Sequence, residues 1–490
     1  MVSEALMSEV GAIVRDVPRQ LLIGGAWREA ASGARFAVLD PATGRSVADV
    51  ADGGPQEAIL AMEACVAAQA DWSRTPARVR SDILLAACRR MLVDEERLAR
   101  LMTLEMGKSL AESRGEVRYA ADFLRWFAEE AVRLGGQYSL APDGSARILT
   151  TREPVGPCIL VTPWNFPLAM GTRKIGPAIA AGCTMIVKPA QQTPLSMLAL
   201  AAIFQDCGLP AGVLNVVTTR RAAPVVTTCM EHPAARKVSF TGSTNVGRRL
   251  AAQAGDRMLR MSMELGGDNP FLVFADADLD AALDGAILAK MRNIGEACTA
   301  ANRFLIEESV ADDFARRLAD RMGAMTVGPG LSDAQVGPLI DAPARDRVAA
   351  LVRDAVDAGA DVLTGGFMPE GEGFFYPPTV LTNVPAHAEI LNTEVFGPVA
   401  TIQTFRDEAE AIDIANATTF GLAAYVYTRD LARGLRVTDR LQVGMVGLNR
   451  GVVSTPAAPF GGIKASGIGR EGGREGVEEY LSLKYASIAI

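Results

Sequence analysis

The chain has 490 residues, 49% apolar and 22% charged, with 47 glycines and a formal net charge of −8. That length exceeds one compact core and predicts two or three domains of ordinary α/β composition. The acidic balance, without a concentrated basic stripe, excludes a nucleic-acid role, and no run reaches the ~18 uninterrupted apolar residues of a membrane helix.

The N-terminal stretch MVSEALMSEVGAIVRD carries acids and lacks a long apolar core, which argues against a secretory signal, so a cytoplasmic protein is expected. Residues 21–50 read as short strands and turns. From about Pro55 to Leu134, Ala-rich amphipathic runs predict helices, broken at Thr75-Pro76 and Gly107-Lys108. Gly135-Gly136 then lead into 137–155, which alternates and turns at Asp143-Gly144 like a β-hairpin. With little to pack against in its own domain, it reads either as an oligomer arm or as an ordinary edge hairpin.

From Cys158 to about Phe274, strand and helix patterns alternate in four or more βα units, predicting a parallel sheet covered by helices. Ligands of such sheets sit at the carboxyl ends of the strands. Trp164-Asn165, Lys188-Pro189, Thr241-Gly242-Ser243 and Glu264-Leu265-Gly266-Gly267 fall there. The segment FTGSTNVG, Phe240 to Gly247, runs from a strand end into a helix N-terminus that suits a phosphate, although it is neither GxGxxG nor a P-loop. Lys188 ends a wholly apolar strand and is expected to face a polar ligand. A second α/β unit follows from about Asp276 to Val446, with helices near 311–324 and 342–358. The tail ends in a strand-like run, YASIAI, able to pair with the hairpin.

Within that second unit, Cys298 lies among small residues, between a helical run and the strand-like Phe304-Leu305-Ile306. A thiolate there is accessible and suits covalent catalysis. The seven cysteines are scattered with no CxxC pair, so neither a disulfide framework nor a metal site is expected. Only His232 and His387 could supply an imidazole, and both sit in surface-like connections. The base serving Cys298 is therefore expected to be a carboxylate.

Cys298, Glu264 in MELGG, Asn165 in TPWNFP, FTGSTNVG, EVFGP from Glu394 and PFGG from Pro459 all occur in one chain. Together they make it resemble the NAD(P)-dependent aldehyde dehydrogenase superfamily from IGGAW to GREG. Its flavour is that of the succinate-semialdehyde dehydrogenase branch, carried by TPWNFPLAMGTRKIGPAIAAGCTMIVKPAQQTP, the MRN before the cysteine stretch and APFGGIKASGIGREG. The resemblance implies an α/β fold: a Rossmann-type parallel-sheet cofactor domain (1–136 and 156–264) and an α/β catalytic domain (265–467). A small β oligomerisation arm (137–155 and 468–490) would complete a homodimer or homotetramer.

It also implies roles. Cys298 would attack the aldehyde, Asn165 and the Cys298 N–H would hold the oxyanion, and Glu264 would activate water against the thioester. Trp164, Lys188, Gln191, Gly242, Ser243, Leu265, Glu394 and Phe396 would surround the dinucleotide, with Lys174 a further lysine near the site. Arg173, Arg292 and Ser454 would anchor the distal carboxylate of a small semialdehyde, succinate semialdehyde foremost, since guanidinium suits a bidentate grip; the glutarate and 2-oxoglutarate semialdehydes, another aldehyde, or a non-catalytic binding protein on the same fold are the alternatives.

Three departures stand out. Glu296-Ala297 replaces a neutral pair before the nucleophile, and a carboxylate there would raise the thiol pKa if it points inward. Ala300 stands where many semialdehyde enzymes have a second cysteine, so no local disulfide switch can form. Gln191 replaces a glutamate that repels a 2′-phosphate, and Arg220-Arg221 lie in the turn nearby. These lean the cofactor toward NADP over NAD, although the basic pair could equally be surface charge.

Overall fold

A computed structural model describes residues 10–490 apart from position 333. The first nine residues of the N-terminal stretch lie outside the described residues. Four helices, Pro55–Arg74, Ala77–Val93, Glu95–Met106 and Leu110–Ala131, follow short strands between Leu21 and Ala51. Proline opens the first of them and the Glu57 carboxylate returns to the Gly54 N–H, so the helix start is capped by its own sequence.

The first sheet has eight strands in the order Gly467–Ile468, Arg260–Glu264, Lys237–Thr241, Cys158–Val161, Met185–Lys188, Leu214–Val216, Leu21–Ile23, Ala26–Arg28. The middle five are parallel. Cys158–Val161, Met185–Lys188 and Lys237–Thr241 are buried throughout, the burial expected of strands covered on both faces. From Cys158–Val161 the chain steps outward in one direction, then returns to build Lys237–Thr241 on the other side. The crevice for a ligand opens at that reversal.

The second sheet has seven strands in the order Asp361–Thr364, Thr379–Thr382, Val399–Phe405, Ala301–Glu307, Asn269–Val273, Ala423–Tyr427, Met445–Leu448, all parallel except the first. Only Leu265–Asp268 separates the last parallel strand of the first sheet from Asn269–Val273. The carboxyl edge of one sheet therefore meets the amino edge of the other, and Cys298 sits just before Ala301–Glu307 on that edge.

The hairpin Tyr138–Leu140 and Ala146–Pro154 turns at Gly144 (φ +73°), and Leu481–Ala489 pairs antiparallel with it, from Leu481 opposite Pro154 to Ala489 opposite Ala146. Tyr138, Leu140, Leu483 and Tyr485 leave large apolar groups in solvent there. Gly467–Ile468 joins the first sheet, and Gly473–Glu478 packs on helices Leu110–Ala131 and Ala169–Ala181, because Met263 and Glu264 offer an unpaired strand edge. Among the described residues no helix is long and apolar enough to cross a membrane, and no cluster of His, Cys, Asp and Glu could hold a metal.

Candidate active site

Where the two sheet edges meet lies a cavity of about 370 Å³ lined by Cys298, Asn165, Glu264, Arg173, Arg292 and Ser454 among others. Neither His232 nor His387 lines it. The helix Leu279–Met291 delivers the chain into an irregular turn in which Asn293 (φ +56°), Ile294 (φ +62°) and Gly295 (φ +76°) are all left-handed. For β-branched Ile294 this is strained backbone, which persists only where surroundings over-determine it. Gly295 admits no side chain, since a Cβ would stand 2.2 Å from the Gly397 carbonyl oxygen.

The loop is then pinned by its carbonyls. The Asn269 amide donates to the Cys298 (2.8 Å) and Ala300 (2.9 Å) oxygens, and the Tyr425 hydroxyl donates to Thr299 (2.7 Å). Burial pushes the Cys298 thiol up to about 12, with Arg173 pulling it down and Glu394 and Glu264 adding to the rise. Glu296 is not among the causes. Its side chain turns away and accepts from the Ile340 N–H at 3.1 Å, so the inward carboxylate considered from sequence does not occur.

Asn165 donates from Nδ2 to the Glu296 carbonyl (2.9 Å), and the Cys298 N–H donates to no protein group among the described residues. Glu264 ends its strand 2% exposed, with both carboxylate oxygens lacking a partner. Burial, and then the charge of Glu471, push its carboxyl well above the usual range against Arg173 and Lys174. A carboxylate of raised pKa lining the same cavity as a thiol is the arrangement a general base requires.

Arg173 is buried, its Nε donating to Glu471 at 2.7 Å and its guanidinium 3.9 Å over the Phe460 ring, while Nη2 has no partner. Lys174 reaches the other Glu471 oxygen and Ser239. Arg292 makes no ion pair among the described residues and lies over Phe166 at 4.8 Å and Tyr119 at 5.8 Å. Ser454 is hydrogen-bonded to the Tyr119 hydroxyl. Tyr119 and Glu471 have no role readable from sequence, because each reaches the site from a distant segment.

The residues present fit a nicotinamide dinucleotide. Ser243 begins the helix Thr244–Asp256 without spending its side chain on the cap, and the buried Thr241 hydroxyl beside it has no partner. Free N–H groups at that terminus suit a pyrophosphate. Glu394 accepts from the Gly267 N–H at 3.1 Å, and a Cβ at Gly266 would strike its carboxylate at 2.5 Å, so the chain passes close only because it is glycine. Trp164 meets Phe396 edge to face at 5.4 Å, and Leu265 lines the same wall. Lys188 and Gln191 do not line this cavity. Lys188 ends the next strand outward, with burial lowering its ammonium to about 8, and Gln191 is exposed. Arg220 and Arg221 are exposed in the turn after the neighbouring strand Leu214–Val216.

Fold and site together fit the class of oxidoreductases built on a dinucleotide-binding sheet. The Aldehyde dehydrogenase family matches residues 27–486, and the chain belongs to it: this is an NAD(P)-dependent aldehyde dehydrogenase. It is 56% identical to a succinate-semialdehyde dehydrogenase of Paenarthrobacter nicotinovorans, over 90% of this chain and 99% of the relative. It is 46% identical to the NADP(+) succinate-semialdehyde dehydrogenase GabD of Escherichia coli, over 96% and 98%. The crystal structure of a succinate-semialdehyde dehydrogenase from Burkholderia pseudomallei superposes with a TM-score of 0.95 at 46% identity, covering 97% of this chain and 98% of that one.

Proposed function

We propose that the protein oxidises a short aldehyde carrying a distal carboxylate, succinate semialdehyde foremost, to the dicarboxylate, with NADP favoured over NAD. The observation that carries this reading is the cation pair. Arg292 makes no ion pair among the described residues and Arg173 keeps a buried, partnerless Nη2, yet both line the cavity that holds Cys298. Buried guanidinium donors without an acceptor are costly, and a substrate carboxylate would satisfy them. Ser454 and the Tyr119 hydroxyl add neutral donors at the same end.

In this reading the Cys298 thiol releases its proton to solvent, the sulfur bonds to the aldehyde carbon, and the carbonyl oxygen becomes an oxyanion held by Asn165 Nδ2 and the Cys298 N–H. The dinucleotide, when bound, supplies the hydride acceptor. With that acceptor bound, the oxyanion would collapse to a thioester on Cys298, the hydride leaving the carbon for the acceptor. Glu264 takes a proton from water as it attacks that carbon, and the carbon–sulfur bond breaks to give the acid. Trp164, Gly242, Ser243, Leu265, Glu394 and Phe396 would hold the dinucleotide, with Lys188 and Gln191 toward its ribose end.

The exposed apolar arm supports a homodimer or homotetramer. Seven free thiols fit a reducing compartment, so we place the protein in the cytoplasm. The test is absorbance at the reduced-nicotinamide band with succinate semialdehyde and with butanal, each with NAD and NADP, beside Cys298→Ala. Turnover favouring the acid and NADP, and lost in the variant, is expected. Equal rates on both aldehydes would remove the carboxylate anchor and leave the dehydrogenase.

A further inference from the structure

The sequence MGKSLAESRGE places Lys108, Glu112 and Glu116 four residues apart, one just ahead of the helix Leu110–Ala131 and two within it. Side chains four apart share a helix face. Charges on a helix ordinarily face water, yet Lys108 and Glu116 are buried, and Glu112 keeps a buried carboxylate oxygen with no partner.

Each of the three ends on backbone next to the reacting groups. The Lys108 ammonium pairs with Glu116 at 2.5 Å and donates to the Asn165 carbonyl at 2.7 Å. Glu116 in turn accepts from the Leu168 N–H (3.0 Å) and the Ala169 N–H (3.1 Å), where the helix after Asn165 begins. Glu112 accepts the Asn293 N–H at the start of the left-handed turn before Cys298. Asn293 then bridges the two segments, its Nδ2 donating to the Asn165 carbonyl (3.0 Å) and the Glu296 carbonyl (2.8 Å). The Glu296 carbonyl is the group that also receives Asn165 Nδ2. One connected set of hydrogen bonds thus runs from the helix through both halves of the oxyanion site.

From this we infer that Glu112 is a positioning residue for the oxyanion site: through Asn293 it fixes where the Asn165 amide stands relative to the Cys298 N–H. Lys108 and Glu116 grip the Asn165 side of the same span. Asn293 sits at φ +56° and is followed by strained Ile294, so the turn needs an outside hold, and no other acceptor among the described residues takes the Asn293 N–H. Displacement of such a geometry by about 1 Å is worth about 100-fold in rate.

The inference rests on Asn165 serving the oxyanion, and the experiment separates the two. Glu112→Ala, Glu112→Gln, Asn165→Ala and the double variant Glu112→Ala/Asn165→Ala would be purified as full chains and checked for fold by circular dichroism. Each would be measured for kcat, dinucleotide Kd and the rate of Cys298 alkylation. Glu112→Gln retains an acceptor oxygen and is expected within about threefold of the native kcat, whereas Glu112→Ala loses about 100-fold with dinucleotide Kd unchanged. The double variant is expected to be no slower than Asn165→Ala alone, since residues acting through one group are not additive. A folded Glu112→Ala with native kcat overturns the inference. So does a double variant in which the two losses multiply, or a Glu112→Gln as slow as Glu112→Ala. An Asn165→Ala that turns over normally would instead overturn the oxyanion reading beneath it.

Discussion

The Cys298 end of the crevice and the sheet edge that carries Gln191, Arg220 and Arg221 are built in opposite ways. Around Cys298, carbonyls and amides of the loop are bound from four directions, by Asn269, Tyr425, Asn165 and Asn293, and the ionisable groups are buried with shifted protonation. At the other, Gln191, Arg220 and Arg221 stand in solvent, and the two arginine side chains form no ion pair among the described residues. Their backbones alone are fixed, Arg220 N–H donating to Asp52 at 3.0 Å and Arg221 N–H to the Thr219 hydroxyl at 3.0 Å. A buried, fully determined end can lower a barrier because it need not reorganise. An exposed end on a fixed backbone can only select among ligands by charge. Substitutions at the first should therefore change rate by orders of magnitude, and at the second only preference.

The largest expected effect is at Glu264. Glu264→Gln keeps the shape and removes the base, so turnover should fall by about 10²–10⁴ while the first equivalent of reduced nicotinamide still forms in a burst. Because burial and then Glu471 push the native carboxyl well above the usual carboxylate range, its base form, and with it thioester hydrolysis, grows as pH rises through that raised value. The native kcat should climb with pH above the usual carboxylate range, and the variant should lose that climb. A variant with neither burst nor turnover would place Glu264 before hydride transfer and not after it.

The two arginines divide between fixed and free. Arg292→Met removes a guanidinium that makes no ion pair among the described residues, so kcat/KM for succinate semialdehyde should fall by about 10–100-fold with butanal unaffected. Arg173→Met leaves Glu471 buried beside Lys174 without its second partner. It should cost about 3–5 kcal/mol of stability, read as a lower thermal midpoint, and should slow both aldehydes. If Arg292→Met also slowed butanal as much as the acid, Arg292 would belong to the fixed machinery and the division would fail.

That division is also what sequence could and could not convey. The alternation of apolar strands with helices made the parallel sheet readable, and Trp164, Gly242 and Glu264 were readable because strand ends are where chain punctuation falls. The pairing of Leu481–Ala489 with the hairpin followed from the alternation in both. The direction taken by Glu296 was not readable, since it depends on the Ile340 N–H 44 residues away. Glu471, 298 residues from Arg173, and Tyr119, 335 residues from Ser454, enter the site only through tertiary folding. No local period in an Ala-rich helical run marks Glu112 as facing a turn 181 residues later. Nor does the run 467–480 announce that a strand edge at Met263 waits for it.

The smallest expected effect lies at Gln191. A glutamate there would bring a negative charge to the strand edge that carries the buried Lys188, and a 2′-phosphate would meet it as a like charge. Both groups would be well solvated, so the penalty is that of an exposed pair, about fivefold in KM for NADP, with KM for NAD unchanged and kcat unchanged for both. Salt sharpens the assignment: the penalty should shrink as ionic strength rises, because the Debye length falls from about 10 Å at 0.1 M to about 3 Å at 1 M. Arg220→Ala and Arg221→Ala should act in the same direction and with the same salt dependence if either guanidinium meets the phosphate. A Gln191→Glu variant that weakened NAD and NADP equally would mean that the side chain touches the ribose and not the phosphate. Selection at this end would then rest on Arg220 and Arg221 alone.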